Sequence, residues 1–294
     1  MFRLASCHHC LGSNKRQKLN ARESTAAANS RSEPIRMTTI SLITTTFNAA
    51  DTIRSCLACV QAQKTVTPNG RQFIIEHIII DGQSTDGTPE IVRQFEGNRV
   101  ASIVSEPDAG IYDGMNKGIA QATGDIVAIL NADDFYVGND TLAQVVDTLE
   151  DNNVAACYGN VLYIDKDNLK NVLRVWRSEP YEKTRFRNGW MPPHPAFYVR
   201  RNVYQEHGVF RTDLGTAADY ELMLRFLYGA GISCMYTPSV WVAMRAGGAS
   251  NRSFASRLRA NRMDRRAWQV NGIRPAPWLR FTKPLRKLGQ FFGH

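Results

Sequence analysis

The chain has 294 residues, of which 43% are apolar, so it can form one globular domain with appendages. No stretch approaches the roughly 20 consecutive apolar residues of a membrane-spanning helix, so we expect no such helix. The net charge of +9 comes from the two ends of the chain. Residues 1–36 hold seven basic and two acidic side chains, and residues 250–294 hold eleven basic and one acidic side chain. Residues 37–249 hold 18 basic and 24 acidic side chains and are therefore mildly acidic.

The first 36 residues are rich in Ser, Ala, Asn and Arg and lack hydrophobic periodicity, which predicts a disordered N-terminal extension. They contain no apolar core of the kind that a secretory signal requires. Their Arg-rich, acid-poor composition weakly resembles an organelle transit peptide. Natural translation from Met37 is an equal alternative.

Two C-x-x-C pairs, formed by Cys7 with Cys10 and by Cys56 with Cys59, have the spacing of zinc or redox sites. Cys56 and the neighbouring apolar residues follow helical spacing, which would place Cys56 on the buried face of a helix. A free cysteine in such a position often acts as a small buried hydrophobic residue. We therefore favour a structural role for the cysteines and expect no zinc site.

The first half of the folded region alternates strand-like and helical segments. Strands are predicted at residues 39–45, 73–80, 100–105 and 126–130, and helices at 51–62, 88–95 and 111–121. Thr88 is the predicted N-cap of the second helix, with a proline in its first turn. Continuous apolar runs between helices indicate strands buried on both faces, hence a parallel sheet covered by helices.

The pattern past residue 139 is less regular. We predict helices at 140–151 and 218–228, a short helix ending at Gly208, a loop at 181–195, and strands at 157–164, 172–176, 196–199, 233–236 and 240–243. The longest of these helices should end at Gly229, because glycine commonly terminates helices.

Four polar turns each follow a predicted strand, at residues 44–48, 81–88, 106–113 and 131–134. The carboxyl ends of parallel strands share one edge of a sheet, and α/β sheets bind ligands there. In the fourth turn, Asp133 and Asp134 can hold Mg²⁺ or Mn²⁺ against a diphosphate. The alternative is ordinary turn chemistry. The chain contains neither a P-loop nor a G-x-G-x-x-G sequence after the first strand, so a metal would have to neutralise phosphates.

Six segments in this order and spacing resemble a family 2 glycosyltransferase, most closely the bacterial enzymes that build exopolysaccharide, lipopolysaccharide and cell-wall glycans. The segments are residues 41–48, 79–88, 105–118, 122–125, 130–134 and 217–225. The resemblance implies an α/β fold of the A-type glycosyltransferase class (GT-A), a Rossmann-like, mostly parallel sheet flanked by helices. Within a domain at 37–249, it implies a nucleotide-sugar half at 37–135 and an acceptor half at 136–249.

The resemblance also implies inverting transfer from a nucleotide diphosphate sugar, with Mg²⁺ or Mn²⁺ as cofactor. Thr45, Phe47 and Asn48 match positions that line the nucleotide, and Asp81 matches the residue that contacts base or ribose. Asn131 stands where the family's D-x-D motif often begins, so its ribose contact would be a neutral hydrogen bond. Asp133 of that motif is the preferred metal ligand and also a nucleotide contact, with Asp134 the alternative ligand.

Asp219 matches the family's catalytic base, although Ala218 replaces a Glu that often precedes it. A carboxylate on the acceptor side is needed to remove the hydroxyl proton as the oxygen attacks the anomeric carbon. The alternative role for Asp219 is a helix N-cap. His194, Lys117 and Tyr112 are candidate contacts to acceptor or phosphate, although His194 can equally satisfy a loop backbone.

Residues 250–294 predict a basic, amphipathic, helical C-terminal extension. Its apolar stripe consists of Trp278, Phe281, Leu285, Leu288 and Phe292. Such a segment suits an anionic membrane surface, whereas packing against the catalytic domain is the alternative.

We therefore expect a cytoplasmic enzyme, peripheral at the inner face of the cell membrane. Its partners would be a nucleotide diphosphate sugar donor and a lipid-linked or glycan acceptor, and no nucleic acid. The alternative function is a catalytically inactive, glycosyltransferase-like binding module that the basic tail tethers to a membrane or to partner proteins.

Overall fold

The computed structural model describes residues 36–246 and 254–279. Predictions on the first 35 residues, including Cys7 and Cys10, and on residues 280–294 lie outside this part. The strands and helices predicted for the first half are confirmed: β1 (Thr38–Thr46), α1 (Ala50–Gln61), β2 (Phe73–Asp81), α2 (Thr88–Arg93), β3 (Val100–Ser105), α3 (Ile111–Gln121) and β4 (Ile126–Ile129).

These four strands form a parallel sheet in the order β3-β2-β1-β4. Side chains of β1 alternate between two cores, because Ile40 and Leu42 pack on one face of the sheet and Ile43 packs on the other. Helix α3 lies so close to β1 that a methyl group at Gly118 would overlap Ile43. The predicted parallel sheet with helices on both faces is confirmed in this half.

The second half extends the same sheet with mixed strands. Its elements are β5 (Phe135–Tyr136), α4 (Thr141–Asp151), β6 (Ala156–Ile164), β7 (Val172–Trp176), α5 (Lys183–Arg187), β8 (Phe197–Arg200), α6 (Arg201–His207), α7 (Ala218–Met223), β9 (Cys234–Arg245) and α8 (Phe254–Val270). The order continues β4-β8-β6-β9-β5, and β7 forms a hairpin with β6. Strand β8 is antiparallel to both of its neighbours, whereas β6 and β9 are parallel.

Several local predictions for strands and loops were wrong. The two strands expected at 233–236 and 240–243 form one strand, β9, whose register with β6 shifts between Tyr236 and Val240 and so accommodates Pro238. The expected loop at 181–195 contains α5 and the start of a 3₁₀ turn, His194–Ala196. The two-residue strand β5 had no sequence signal.

Two helix ends also differ from the sequence predictions. Gly87, at φ 90°, is the N-cap of α2. The Thr88 hydroxyl instead donates to Asp86 Oδ1 at 2.6 Å. Helix α7 continues into a π-helical turn, Leu224–Ala230, which ends at left-handed Gly231 and not at Gly229.

Buried His77 makes the stability of this sheet depend on pH. Its Nε2 lies 2.9 Å from Thr44 Oγ1, and burial lowers the pKa of His77 to about 3. His77 of the unfolded chain binds a proton with a pKa near 6.5, whereas buried His77 of the folded chain stays neutral until the pH is much lower. The free energy of unfolding is therefore highest above pH 6.5 and decreases as the pH falls toward 3.

We therefore expect the free energy of unfolding to fall by about 2 kcal/mol more in the natural chain than in His77→Gln between pH 7 and pH 5, because only the natural chain has this proton linkage. Urea denaturation of both proteins at the two pH values measures the difference. Equal pH dependence in both proteins would contradict a neutral, buried His77.

The described part of the C-terminal region packs on the helix that carries Asp219. Trp268 is fully buried, and its Nε1 donates to the Tyr220 hydroxyl at 2.9 Å. Asn271 Nδ2 donates to Glu221 Oε1 at 3.0 Å. Trp268 and Asn271 therefore anchor this part of the chain on α7.

Of the predicted apolar stripe, Trp278 is 50% exposed and donates to Asn188 Oδ1 at 3.1 Å. The stripe's other four members lie outside the described residues. In the described part of the chain, none of the helices combines the length and the apolar character that crossing a bilayer requires.

Candidate active site

The first two polar turns are joined at the carboxyl ends of β1 and β2. Asp81 is buried and accepts hydrogen bonds from the hydroxyls of Ser84 and Ser105 at 2.5 and 2.6 Å. Asn48 Oδ1, on the first turn, accepts a hydrogen bond from the Thr85 backbone N–H at 2.9 Å. The Asp81 carboxylate is therefore held in a fixed position at the sheet edge.

Phe47 lies beside the turn that begins at this carboxylate, and Thr45 lies close to Gly114. The Phe47 ring is 66% exposed and lies across from Gly82, where a Cβ would be 3.4 Å from the ring. Thr45 Oγ1 is buried and has no hydrogen-bond partner among the described residues. An exposed aromatic ring can stack on a nucleotide base, and the Asp81 carboxylate and the Thr45 hydroxyl can form hydrogen bonds to a ribose.

The third turn is organised by Lys117, which the sequence suggested as a substrate contact. Its Nζ lies 2.6 Å from Asp108 Oδ1, 2.9 Å from Glu106 Oε1 and 3.6 Å from Asp113 Oδ2. The structure therefore places Lys117 as an internal partner of the turn. Asp108, which sequence reasoning missed, faces Gly114, where a Cβ would be 2.9 Å from Asp108 Oδ2.

The two carboxylates of the fourth turn differ in accessibility. Asp134 is 1% exposed, and burial, with a further contribution from the charge of Asp133, raises its pKa. Asp133 is partly exposed. Arg245, at the end of β9, donates to the Asp133 carbonyl and to the Ser55 hydroxyl. A ligand at the carboxyl edge of the sheet can reach the carboxylate of Asp133 far more easily than that of Asp134.

The donor set at this turn fits a cation that is bound jointly with a diphosphate. Among residues 36–246 and 254–279, no group of three or more His, Cys, Asp or Glu side chains converges on one point. Mg²⁺ needs only one or two protein carboxylates when phosphates and water complete its shell. Asp133 can supply one, and Asn131 Oδ1 nearby is buried and has no hydrogen-bond partner in the described part of the chain.

Asp219 lies on α7, in the second half of the sheet domain. Ala217 is the N-cap of α7, so the alternative that Asp219 caps the helix is wrong. The Tyr220 N–H donates to Asp219 Oδ1 at 2.7 Å. His194 Nδ1 lies 3.2 Å from Asp219 Oδ2 but out of line for a hydrogen bond.

Tyr112 joins the third turn to Asp219. Burial, and then the Asp219 carboxylate, raise the pKa of Tyr112. Asn116, one helical turn along α3, exchanges two 2.9 Å hydrogen bonds with the Phe210 backbone, and the Tyr112 and Phe210 ring centroids are 5.4 Å apart. These contacts bring α3 of the first half against the segment that leads to Asp219.

The β6–β7 hairpin contacts His194, which sequence reasoning missed. Tyr163 and Arg174 are cross-strand partners, and the Arg174 guanidinium carbon lies 3.8 Å from the Tyr163 ring centroid. Trp176 contacts the His194 ring at 6.4 Å between centroids. The available signal was the alternation in residues 172–176, which places Arg174 and Trp176 on one face.

A family model described as Glycosyl transferase family 2 matches residues 41–208. The chain is 36% identical over 191 residues to an uncharacterized glycosyltransferase of Mycobacterium tuberculosis, covering 64% of this chain and 68% of that protein. It is 29% identical over 206 residues to the PGL/p-HBAD biosynthesis glycosyltransferase of Mycobacterium bovis, covering 68% and 71%.

Two solved structures share the fold. Staphylococcus aureus TarS 1-349 in complex with UDP has a TM-score of 0.59 at 15% identity, covering 78% of this chain and 65% of that one. The mannosyltransferase PcManGT from Pyrobaculum calidifontis, in complex with GDP-Man and Mn²⁺, has a TM-score of 0.57 at 24% identity, covering 88% and 71%. At these identities the likeness concerns the fold alone.

Proposed function

The chain belongs to glycosyl transferase family 2, and from that premise we propose that it transfers a sugar, with inversion, from a nucleotide diphosphate sugar to a lipid-linked or glycan acceptor. Family membership makes it a transferase, and its structural neighbours confirm the expected GT-A fold. Its relatives in glycan biosynthesis support a role in surface polysaccharide or cell-wall assembly.

The observation that carries this proposal is the position of Asp219. Its carboxylate belongs to the proposed acceptor half, yet it interacts with Tyr112, which lies in the third turn, in the proposed nucleotide half. Its side chain is 15% exposed and so is open to a substrate. An acceptor hydroxyl in this cleft would meet a carboxylate on one side and a sugar donor on the other.

In the proposed reaction, Asp219 takes the proton of the acceptor hydroxyl as its oxygen attacks the anomeric carbon from the face opposite the diphosphate. The Tyr220 N–H holds one carboxylate oxygen, and His194 borders the other. This arrangement orients the carboxylate before the acceptor arrives, which lowers the entropic part of the barrier.

On the donor side, Phe47, Asn48 and Asp81 would bind the nucleoside. Thr45 Oγ1 and Asn131 Oδ1 have no hydrogen-bond partner within residues 36–246 and 254–279, and both suit hydrogen bonds to the nucleoside. Asp133 would hold Mg²⁺ or Mn²⁺. When bound, such a cation supplies Lewis-acid stabilisation of the negative charge on the departing diphosphate.

The alternative of an inactive binding module is disfavoured, because Asp133 and Asp219 are both retained and both partly exposed.

For localisation we propose peripheral contact with the cytoplasmic membrane face through residues 250–294. The exposed side chains of Arg262 and Arg265 on α8 support this contact, because arginine near anionic lipid adds roughly 1 kcal/mol of attraction per side chain.

A panel of UDP-, GDP- and dTDP-sugars tests the donor assignment. At 100 times the Kd, one of them should raise the Tm by roughly 5 °C with Mn²⁺ present, and by less with EDTA. Phe47→Ser should lose most of this shift because the exposed ring would stack on the nucleotide. No Tm shift from any donor, together with no sugar transfer, would overturn the proposal.

Val66→Ser is the matched control for this panel. Val66 is an exposed apolar residue, 48% accessible, outside the four polar turns. Its substitution removes a surface hydrophobic side chain without touching the cleft and should leave the Tm shift intact. A loss of the Tm shift in both variants would show that replacing any exposed apolar side chain removes the shift, and that the Phe47 ring has no special role.

A further inference from the structure

An open cavity of about 210 Å³ lies between the third polar turn and the 3₁₀ turn Thr212–Ala217. A cavity needs only about 10 to 15 Å³ to hold one water, so this one admits a ligand of many heavy atoms. A Cβ at Gly110 or at Gly215, one on each wall, would meet no atom within 4 Å. The cavity is therefore large enough for a sugar ring.

Tyr112 connects this cavity to Asp219. Its side chain lines the cavity, and the Asp219 carboxylate acts on its hydroxyl, although burial is the main cause of its raised pKa. Thr216, on the opposite wall, precedes Asp219 by three residues. A smaller space of about 20 Å³ borders Asp219 and His194 and holds little more than one water-sized group. A substrate that presents a hydroxyl to Asp219 would therefore place its larger part in the wider cavity.

Helix α3 presents different positions to the donor turns and to Asp219. Gly114 faces the first turn, because a Cβ there would lie 3.1 Å from Thr45 Cγ2. Tyr112 instead packs on Phe210, with 5.4 Å between the ring centroids, and interacts with Asp219. The side of α3 that carries Tyr112 is therefore the side on which an acceptor would approach the base.

The lining of the cavity combines polar groups with apolar surface. Thr212 and Thr216 are exposed and supply two hydroxyls. Asp113 Oδ2 accepts a hydrogen bond from the Ala109 N–H at 3.0 Å, and a carboxylate has about four lone-pair sites, so it can accept more. Ile111, which is 49% exposed, supplies apolar surface. A sugar ring carries both hydroxyls and C–H groups and so matches this combination.

The charge of the cavity disfavours a phosphate. Among the described residues that line it, Asp113 is the only one whose side chain is charged at neutral pH. Lys117, whose Nζ lies 3.6 Å from Asp113 Oδ2, is also paired with Glu106 and Asp108. The third turn thus holds three carboxylates against one ammonium group, which would repel a phosphate in the cavity. A neutral ligand meets no such repulsion.

We propose that this cavity binds a neutral sugar ring of the acceptor and directs one of its hydroxyls to Asp219, an assignment that rests on the proposed function. Asp113 and the two threonines bind other hydroxyls of the ring, and Ile111 contacts its C–H groups. The hydroxyl that attacks the donor therefore belongs to a sugar, and not to a phosphate or to a lipid alcohol without a sugar.

Initial rates with simple acceptors test this site. The full chain is given Mn²⁺ and, in turn, UDP-, GDP- and dTDP-sugars. The acceptors are the hexyl glycosides of glucose, galactose, mannose, rhamnose and N-acetylglucosamine, with hexanol and hexyl phosphate as probes that lack the ring. At least one glycoside should accept the sugar, whereas hexanol and hexyl phosphate should not. Release of nucleoside diphosphate and formation of the product measure transfer.

Two variants of the cavity locate the acceptor. Thr216→Val removes one hydroxyl and should raise the KM for the glycoside about fivefold, the usual effect of losing one hydrogen bond, with kcat nearly unchanged. Thr212→Trp places a large ring in the cavity and should abolish transfer to the glycoside. Calorimetry should show that both variants bind the nucleotide sugar as the natural chain does.

Asp213→Asn is the control for both variants. Asp213 belongs to the same 3₁₀ turn but is not among the residues that line the cavity, and it pairs with Arg211 at the surface. Its substitution should change neither the KM for the glycoside nor the affinity for the nucleotide sugar.

The results distinguish the acceptor site from the donor site and from the proposed function. If Thr216→Val weakens the nucleotide sugar but not the nucleoside diphosphate, the donor's sugar occupies the cavity and the acceptor assignment is overturned. It is also overturned if both cavity variants keep natural kinetics, or if the natural chain consumes a donor without transfer to any glycoside. In these cases the proposed donor chemistry stands, whereas a natural chain that consumes no donor contradicts the proposed function itself.

Discussion

Replacing Asp219 by Asn should lower kcat by about a thousandfold, within the range for loss of a general base, while nucleotide affinity stays unchanged. The amide cannot accept the hydroxyl proton at neutral pH, but its oxygen can keep the hydrogen bond from the Tyr220 N–H, so the local fold should persist. Initial rates of transfer measure the loss, and calorimetry with the nucleoside diphosphate measures the affinity.

Asp213→Asn is the matched control for this substitution. Asp213 lies on the preceding 3₁₀ turn, Thr212–Ala217, is 43% exposed, and pairs with Arg211 and Arg266 at the surface. Exposed ion pairs of this kind contribute little to stability, so its loss should be nearly silent. Full turnover by Asp219→Asn would show that another group is the base, and a collapse of both variants would point to a folding defect.

Asp133→Asn should lower kcat/KM by about a hundredfold or more and remove the dependence on Mn²⁺, because an amide is a much weaker cation ligand than a carboxylate. Asp134→Asn should keep most of the activity. Its carboxyl is only 1% exposed, so a cation cannot easily reach it, and an amide oxygen at this position can accept the same hydrogen bond from Asn131 Nδ2.

Mn²⁺ titration of the initial rate separates the two variants, and thermal unfolding in EDTA verifies that both fold. The matched pair resolves the register ambiguity of Asn131-Ala-Asp-Asp. The reverse result, with Asp134→Asn inactive and Asp133→Asn active, would transfer the ligand role to Asp134. If both variants kept the activity of the natural chain at all Mn²⁺ concentrations, the metal would be removed from the proposal.

The sequence predicted the parallel half of the sheet well, because its signals are local. Each buried strand is a continuous apolar run, such as that of β4, and each helix has its own periodicity. The polar turns follow from the same signals, since a strand boundary determines which residues lie at the carboxyl edge.

The mixed half was predicted less well, because its strands are defined by partners and not by periodicity. Strand β5 has only two residues and exists through its pairing with β9. The interruption at Pro238 looked like a strand end, yet β6 continues to pair with β9 on either side of it. Pairing between distant segments leaves little trace in a local pattern.

By itself, the sequence determined the family, the parallel framework and the set of strand-end carboxylates. Only the tertiary structure decided which of them a ligand can reach, as the difference in exposure between Asp133 and Asp134 shows. It alone brought Asn116 to Phe210, which is 94 residues away, and placed the Arg174 guanidinium over the Tyr163 ring. The physical reason is that exposure and long-range contact arise from packing between elements, whereas periodicity reports only the faces of each element.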